Sequence, residues 1–200
     1  MIHRSAAALA RLWAASGVIN NRDTEAYQYG LELIISTLLN IALMLGLSAA
    51  MGPVWLLIPY LAAFIPLRLS AGGYHAKQHL VCILLNGAVY FAALLIVNAL
   101  SSREASLFCL LACVVSAAVT FLFAPVPARN KPLSPAERRR NRAVSLSLSL
   151  LFLVLCMAFY FTGLLSLAGC KILFCGQAAA AMLLLMEKAS FPQRRSAGKE

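Results

Sequence analysis

The run LVCILLNGAVYFAALLIVNAL, from Leu80 to Leu100, decides the class of this fold, because it carries no charged side chain anywhere along its length. A helix rises about 1.5 Å per residue, so about 20 apolar residues match a hydrocarbon core roughly 30 Å thick. Five further apolar runs surround it: Leu31–Ala50, Val54–Leu67, Ala105–Ala124, Val144–Leu165 and Lys171–Met186. The whole chain of 200 residues is 62% hydrophobic and only 12% charged, whereas soluble domains carry about 25% charged residues. The expected fold is therefore all-α and polytopic. It has about six hydrophobic helical segments, four to six of them crossing, in a single integral-membrane domain over 1–200. Val54–Leu67 is the marginal segment, short enough to thin the bilayer or to be re-entrant. Only Met51-Gly52-Pro53 joins it to the run before, which predicts a tight helical hairpin or one broken helix.

The net charge is +10. A nucleic-acid binder would spread such charge over a polar surface. Here it falls between apolar runs, so the expected partner is a lipid bilayer and no nucleic acid is called for. With both termini cytoplasmic, the inner segments hold fifteen of the seventeen basic residues. Arg4, Arg11 and Arg22 precede the first run, Arg68 and Lys77 follow the second, six lie from Arg129 to Arg142, and four from Lys188 to Lys199. Arg103 and Lys171 are left outside. The positive-inside rule thus predicts cytoplasmic termini and a cytoplasmic loop between the second and third runs.

Residues 1–26 contain no stretch long enough for a cleavable signal, because Arg11 interrupts Ala6–Ala10. Leu9, Leu12 and Trp13 at helical spacing, beside Arg4 and Arg11, predict an N-terminal amphipathic helix in the membrane interface; a frayed cytoplasmic tail is the alternative. Residues 125–142 form a basic cytoplasmic loop. Within it Ser134-Pro135-Ala136-Glu137 matches a capping box with proline at the first helical position, so a helix begins at Pro135. Orientation and attraction to anionic lipid account for its arginines. Contact with an acidic substrate segment is the sharper alternative.

The six cysteines form no disulfide framework. Cys82, Cys109, Cys113 and Cys156 fall in predicted spans, where a free thiol packs as a small apolar group. Cys170 and Cys175 flank the last outer turn, where a bridge is conceivable but unsupported, and no Cys-x-x-Cys pair points to zinc or thioredoxin-like chemistry.

Chemistry concentrates in Arg68-Leu69-Ser70-Ala71-Gly72-Gly73-Tyr74-His75-Ala76-Lys77-Gln78-His79-Leu80-Val81-Cys82. A thiolate is a nucleophile, and a neighbouring imidazole can take the thiol proton and return it to a leaving amine. Gly72-Gly73 permits a positive-φ turn or close approach to a substrate backbone. On one straight helix His75 and Cys82 would be separated by about 10 Å of rise, so His75 needs a turn that folds back. His79, three residues before Cys82, is the better base on spacing alone. A metal site of His75, His79 and Cys82 is the competing chemistry, with three ligands and no acidic fourth. Asn86, one turn beyond Cys82, either orients an imidazole or packs between spans.

Arg68 to Cys82, above all Gly72-Gly73-Tyr74-His75-Ala76-Lys77 followed by Cys82, resembles the active-site segment of the accessory gene regulator B family. These are bacterial membrane cysteine endopeptidases that process the precursor of a quorum-sensing peptide. The likeness extends to Tyr27-Gln28-Tyr29-Gly30-Leu31-Glu32, to Ala124-Pro125-Val126 and to Asn130-Lys131-Pro132-Leu133-Ser134. It implies that His75 and Cys82 are the catalytic pair, in place of His79. It also implies that Arg68, Gly72, Gly73 and Lys131 support the site or bind substrate. The precursor peptide is the implied partner, a homodimer the implied state, the bacterial cell membrane the implied location, and no cofactor is required.

The rival class is a non-catalytic membrane protein, a small transporter or an assembly partner. A transporter favours ionisable groups deep in its spans. Glu32 and Glu187 instead fall near predicted span ends.

Overall fold

The computed structural model describes residues 2–72, 79–100, 102–126, 133–164 and 167–196. Among them there is no strand, and seven α-helices follow one another: α1 (Ile2–Ala15), α2 (Thr24–Met51), α3 (Leu57–Ala71), α4 (His79–Ala99), α5 (Ser102–Phe123), α6 (Pro135–Phe161) and α7 (Ala168–Ser196). All but α1 are long and apolar enough to cross a membrane, α3 together with the 3-10 turn Val54–Leu56 that leads into it. The marginal second segment is longer than the apolar run alone indicates. It holds 18 residues, Val54–Ala71, or about 27 Å of helix, because the helix continues past Arg68. Pro66 sits inside α3, and Ser70 Oγ donates to the Pro66 carbonyl at 2.8 Å.

Local signals set several helix ends. The Ser134 side chain accepts from the Glu137 amide at 3.2 Å and Glu137 accepts from the Ser134 amide at 2.9 Å, the expected capping box, with Pro135 in the first turn. Gly52 and Pro53 end α2. The two helices they join do not pack as a close hairpin: α2 lies mainly along α4 and α1. The buried Ser48 and Tyr90 hydroxyls, 2.6 Å apart, tie α2 to α4.

The centre of the bundle is α7, the most buried of the six long helices, flanked by α3, α4 and α5. Its Gly176 meets the backbone of Tyr60 on α3, where any Cβ would collide with the Tyr60 carbonyl. Ala179, Ala180 and Ala181 are buried beside it. Small residues let helices approach closely in lipid, where dispersion contacts replace the hydrophobic drive. α3 and α7 run parallel, Trp55 lying by Gly169, Tyr60 by Gly176 and Ala71 clustering with Leu184. α5 packs on both α6 and α7; it buries Cys109, Cys113, Ser116 and Thr120, and α6 buries Ser145, Ser149 and Cys156.

Contacts between helix ends sort the bundle into two poles. At one pole Asn98 Nδ2 donates to the Met51 carbonyl at 3.2 Å. Lys171 Nζ donates there to the Leu100 carbonyl at 3.1 Å and to Val97 at 3.4 Å. Lys171, expected on the outer side, is buried at this pole and caps the end of α4. At the other pole lie the ends of α3 and α5 and the far half of α7.

α1 packs on the start of α2 through Ala6, Ala10 and Trp13, against Leu31 and Ile35. His3 Nδ1 lies 2.7 Å from Glu32 Oε1, and Gln28 bridges both. The packed face is thus the alanine face, and Leu9 and Leu12 point outward. All six cysteines, Cys170 and Cys175 included, are free thiols.

Candidate active site

The site is built where α3 ends and α4 begins. Gly72 terminates α3 with φ 84°, a left-handed conformation open to glycine. The termination also needs room: a Cβ on Gly72 would strike the Val126 carbonyl oxygen. Val126 donates its amide to the Ala71 carbonyl at 3.0 Å, and Ala71, Ala124, Val126 and Leu184 form a small buried cluster. A residue pair more than fifty positions apart in sequence therefore fixes one corner of the site. The chain leaves Gly72 and Val126 side by side, toward the segments that carry Gly73 and His75 on one side and Lys131 on the other.

Cys82 lies in the first turn of α4 and is half-buried. From α3 the Arg68 guanidinium lies within electrostatic reach of Cys82, Glu187 and Tyr60. Its carbon also sits 6.0 Å from the centre of the Phe64 ring, within range of a cation–π contact. Asn86 donates Nδ2–H to Cys82 Sγ at 3.7 Å. A donor on α4 and a cation on α3 thus both address one thiol. Such a group can act as a nucleophile whose negative charge is met by a fixed donor and a cation as it develops.

Of the residues singled out from sequence, the structure brings Arg68, Gly72 and Cys82 to one pole of the bundle. Gly73, His75 and Lys131 lie outside the described residues. His79 opens α4; its side chain also lies outside them. Two features were not legible in advance. Asn86 faces the sulfur itself, for which its spacing of four from Cys82 was the signal. Glu187, read as a residue near a span end, is only 4% exposed because α7 continues well past Met186.

A family model described as accessory gene regulator B matches residues 6–185. The chain belongs to the accessory gene regulator B family. Membership places this multi-pass membrane protein in the processing of an autoinducer peptide precursor for quorum sensing. No curated protein and no solved structure matches it.

Proposed function

We propose that this accessory gene regulator B protein is a cysteine endopeptidase that cuts a short amphipathic precursor and closes the released peptide into a ring. The observation that carries the reading is the Asn86 hydrogen bond to the Cys82 sulfur, with the Arg68 cation in electrostatic reach of it, in a chain of this family. His75 takes the thiol proton, and the Cys82 sulfur attacks the scissile carbonyl. A sulfur–carbon bond forms, the carbon–nitrogen bond breaks, and His75 returns the proton to the leaving amine. The peptide remains as a thioester. A thiol or hydroxyl within the peptide then attacks that carbonyl, expels Cys82 as thiolate and yields a thiolactone or lactone. A site at the membrane edge limits water, which favours ring closure over hydrolysis.

Arg68 steadies negative charge on the sulfur, Gly72 and Gly73 shape the backbone beside it, and Lys131 attracts an acidic part of the precursor. The site pole faces the cytoplasm of the bacterial cell with both termini, a reading supported by the fifteen basic residues that fall on that side. Residues 1–26 lie in the interface, supported by the outward Leu9 and Leu12. Two copies act together as a homodimer, as the resemblance implies.

Co-expression with the cognate precursor tests the assignment. Cys82→Ser and His75→Ala are expected to abolish cleavage while the protein accumulates normally in the membrane. Normal cleavage by either folded variant overturns the role given to that residue.

A further inference from the structure

We propose that Asn86 is a further catalytic residue of this site, its carboxamide N–H holding the Cys82 sulfur in position and sharing the negative charge the sulfur gains. The proposal rests on the cysteine endopeptidase reading above. Helical side chains lean toward the N-terminus, so a residue four positions on reaches back over its predecessor. Asn86 does so, placing Nδ2 3.7 Å from Cys82 Sγ. It is 8% exposed within a membrane-spanning helix, where a carboxamide needs partners.

Four other buried polar side chains in the bundle turn to structural partners. Ser48 meets Tyr90, Ser70 bonds the Pro66 carbonyl, Thr120 bonds the Ser116 carbonyl, and Lys171 caps α4. Asn86 points at the reacting atom instead. Its hydrogen bond strengthens when the acceptor becomes an anion, so it favours the nucleophile over the resting thiol. The Arg68 cation on α3 lies within electrostatic reach of the same sulfur. The same contact serves the ring-closing step, where Cys82 departs as thiolate.

The test uses the purified full-length protein in lipid nanodiscs. Iodoacetamide is the probe, and mass spectrometry reads the alkylation rates of Cys82 and of half-buried Cys170 at the opposite pole. Asn86→Leu keeps the volume and removes the donor; Asn86→Ala removes both. The expected result is Cys82 alkylation about tenfold slower or more in both variants, the loss of one donor to a charged acceptor. Cys170 is expected to react at the wild-type rate. Precursor cleavage should fall by a similar factor in kcat with KM unchanged. Wild-type Cys82 alkylation in Asn86→Leu overturns the proposal and leaves Asn86 a packing residue. Where an altered Cys170 rate shows that Asn86→Leu has not folded, Asn86→Ala decides by the same criterion. Alkylation is read without any precursor, so cleavage by Cys82→Ser would sink the peptidase reading while the alkylation comparison still judged Asn86.

Discussion

At Gly72 a single missing carbon does two things at once. It allows φ 84° with ψ −169°, a region essentially reserved for glycine, and it leaves space for the Val126 carbonyl. Gly72→Ala should therefore cost about 1–3 kcal/mol in backbone strain alone. It should also part Ala71 from Val126. The expected outcome is a lower Tm in detergent together with loss of precursor cleavage; an unchanged Tm would show that the corner is not under this constraint. Sequence drew attention to Gly72-Gly73 and to Arg68 and Cys82, because glycine, guanidinium and thiol chemistry are tied to residue type. It did not reveal why Gly72 must be glycine, since the reason arrives from Val126 on another helix end. Nor did it reveal the aim of Asn86, because spacing gives adjacency and not the choice between two neighbours.

Among the elements, the capping of α4 by Lys171 separates structure from catalysis. The last carbonyls of a helix have no intrahelical donor, and the ammonium supplies one in a region with little water. Lys171→Met should cost about 1–3 kcal/mol, the penalty for buried acceptors left unpaired. Hydrogen exchange should quicken at the last turn of α4, while Cys82 alkylation at the opposite pole stays as in the wild type. Slower Cys82 alkylation would show that the two poles are coupled through α4. Spans were legible in sequence because hydrocarbon admits only long uncharged helices. Their order of burial was not. α4 is more apolar than α7, yet α7 lies at the centre. In lipid an apolar side chain gains little by turning inward, so apolarity alone does not rank the helices, and α7 buries Gly176, Gln177 and Ala180 alongside Phe174 and Leu183. For the same reason Arg68 looked like the end of the second span, although α3 carries it into the bundle.

For the whole molecule, the alternation of poles makes orientation a measurable property. The ends of α3, α5 and α7 share the pole that holds Cys82, and Met51, Leu100 and Lys171 share the other. A fluorescent protein fused at the C-terminus should fold and glow, and alkaline phosphatase fused at the same point should stay inactive. Phosphatase activity there would reverse the proposed orientation and set Cys82 on the outer face. The charge pattern made this prediction possible from sequence, since loop charges act before the helices pack. The lateral arrangement had no such signal, because the contacts that set it are between runs far apart in the chain.

The seam between α3 and α7 has one more implication. Where Tyr60 and Gly176 touch backbone to backbone, no tail of a lipid fits between the two helices, and neither can slide along the other without a clash. They behave as one stiff strut that runs from Trp55 to Arg68 and Glu187. A change in bilayer thickness would tilt that strut as a unit, so the guanidinium beside the nucleophile would travel with its carboxylate neighbour.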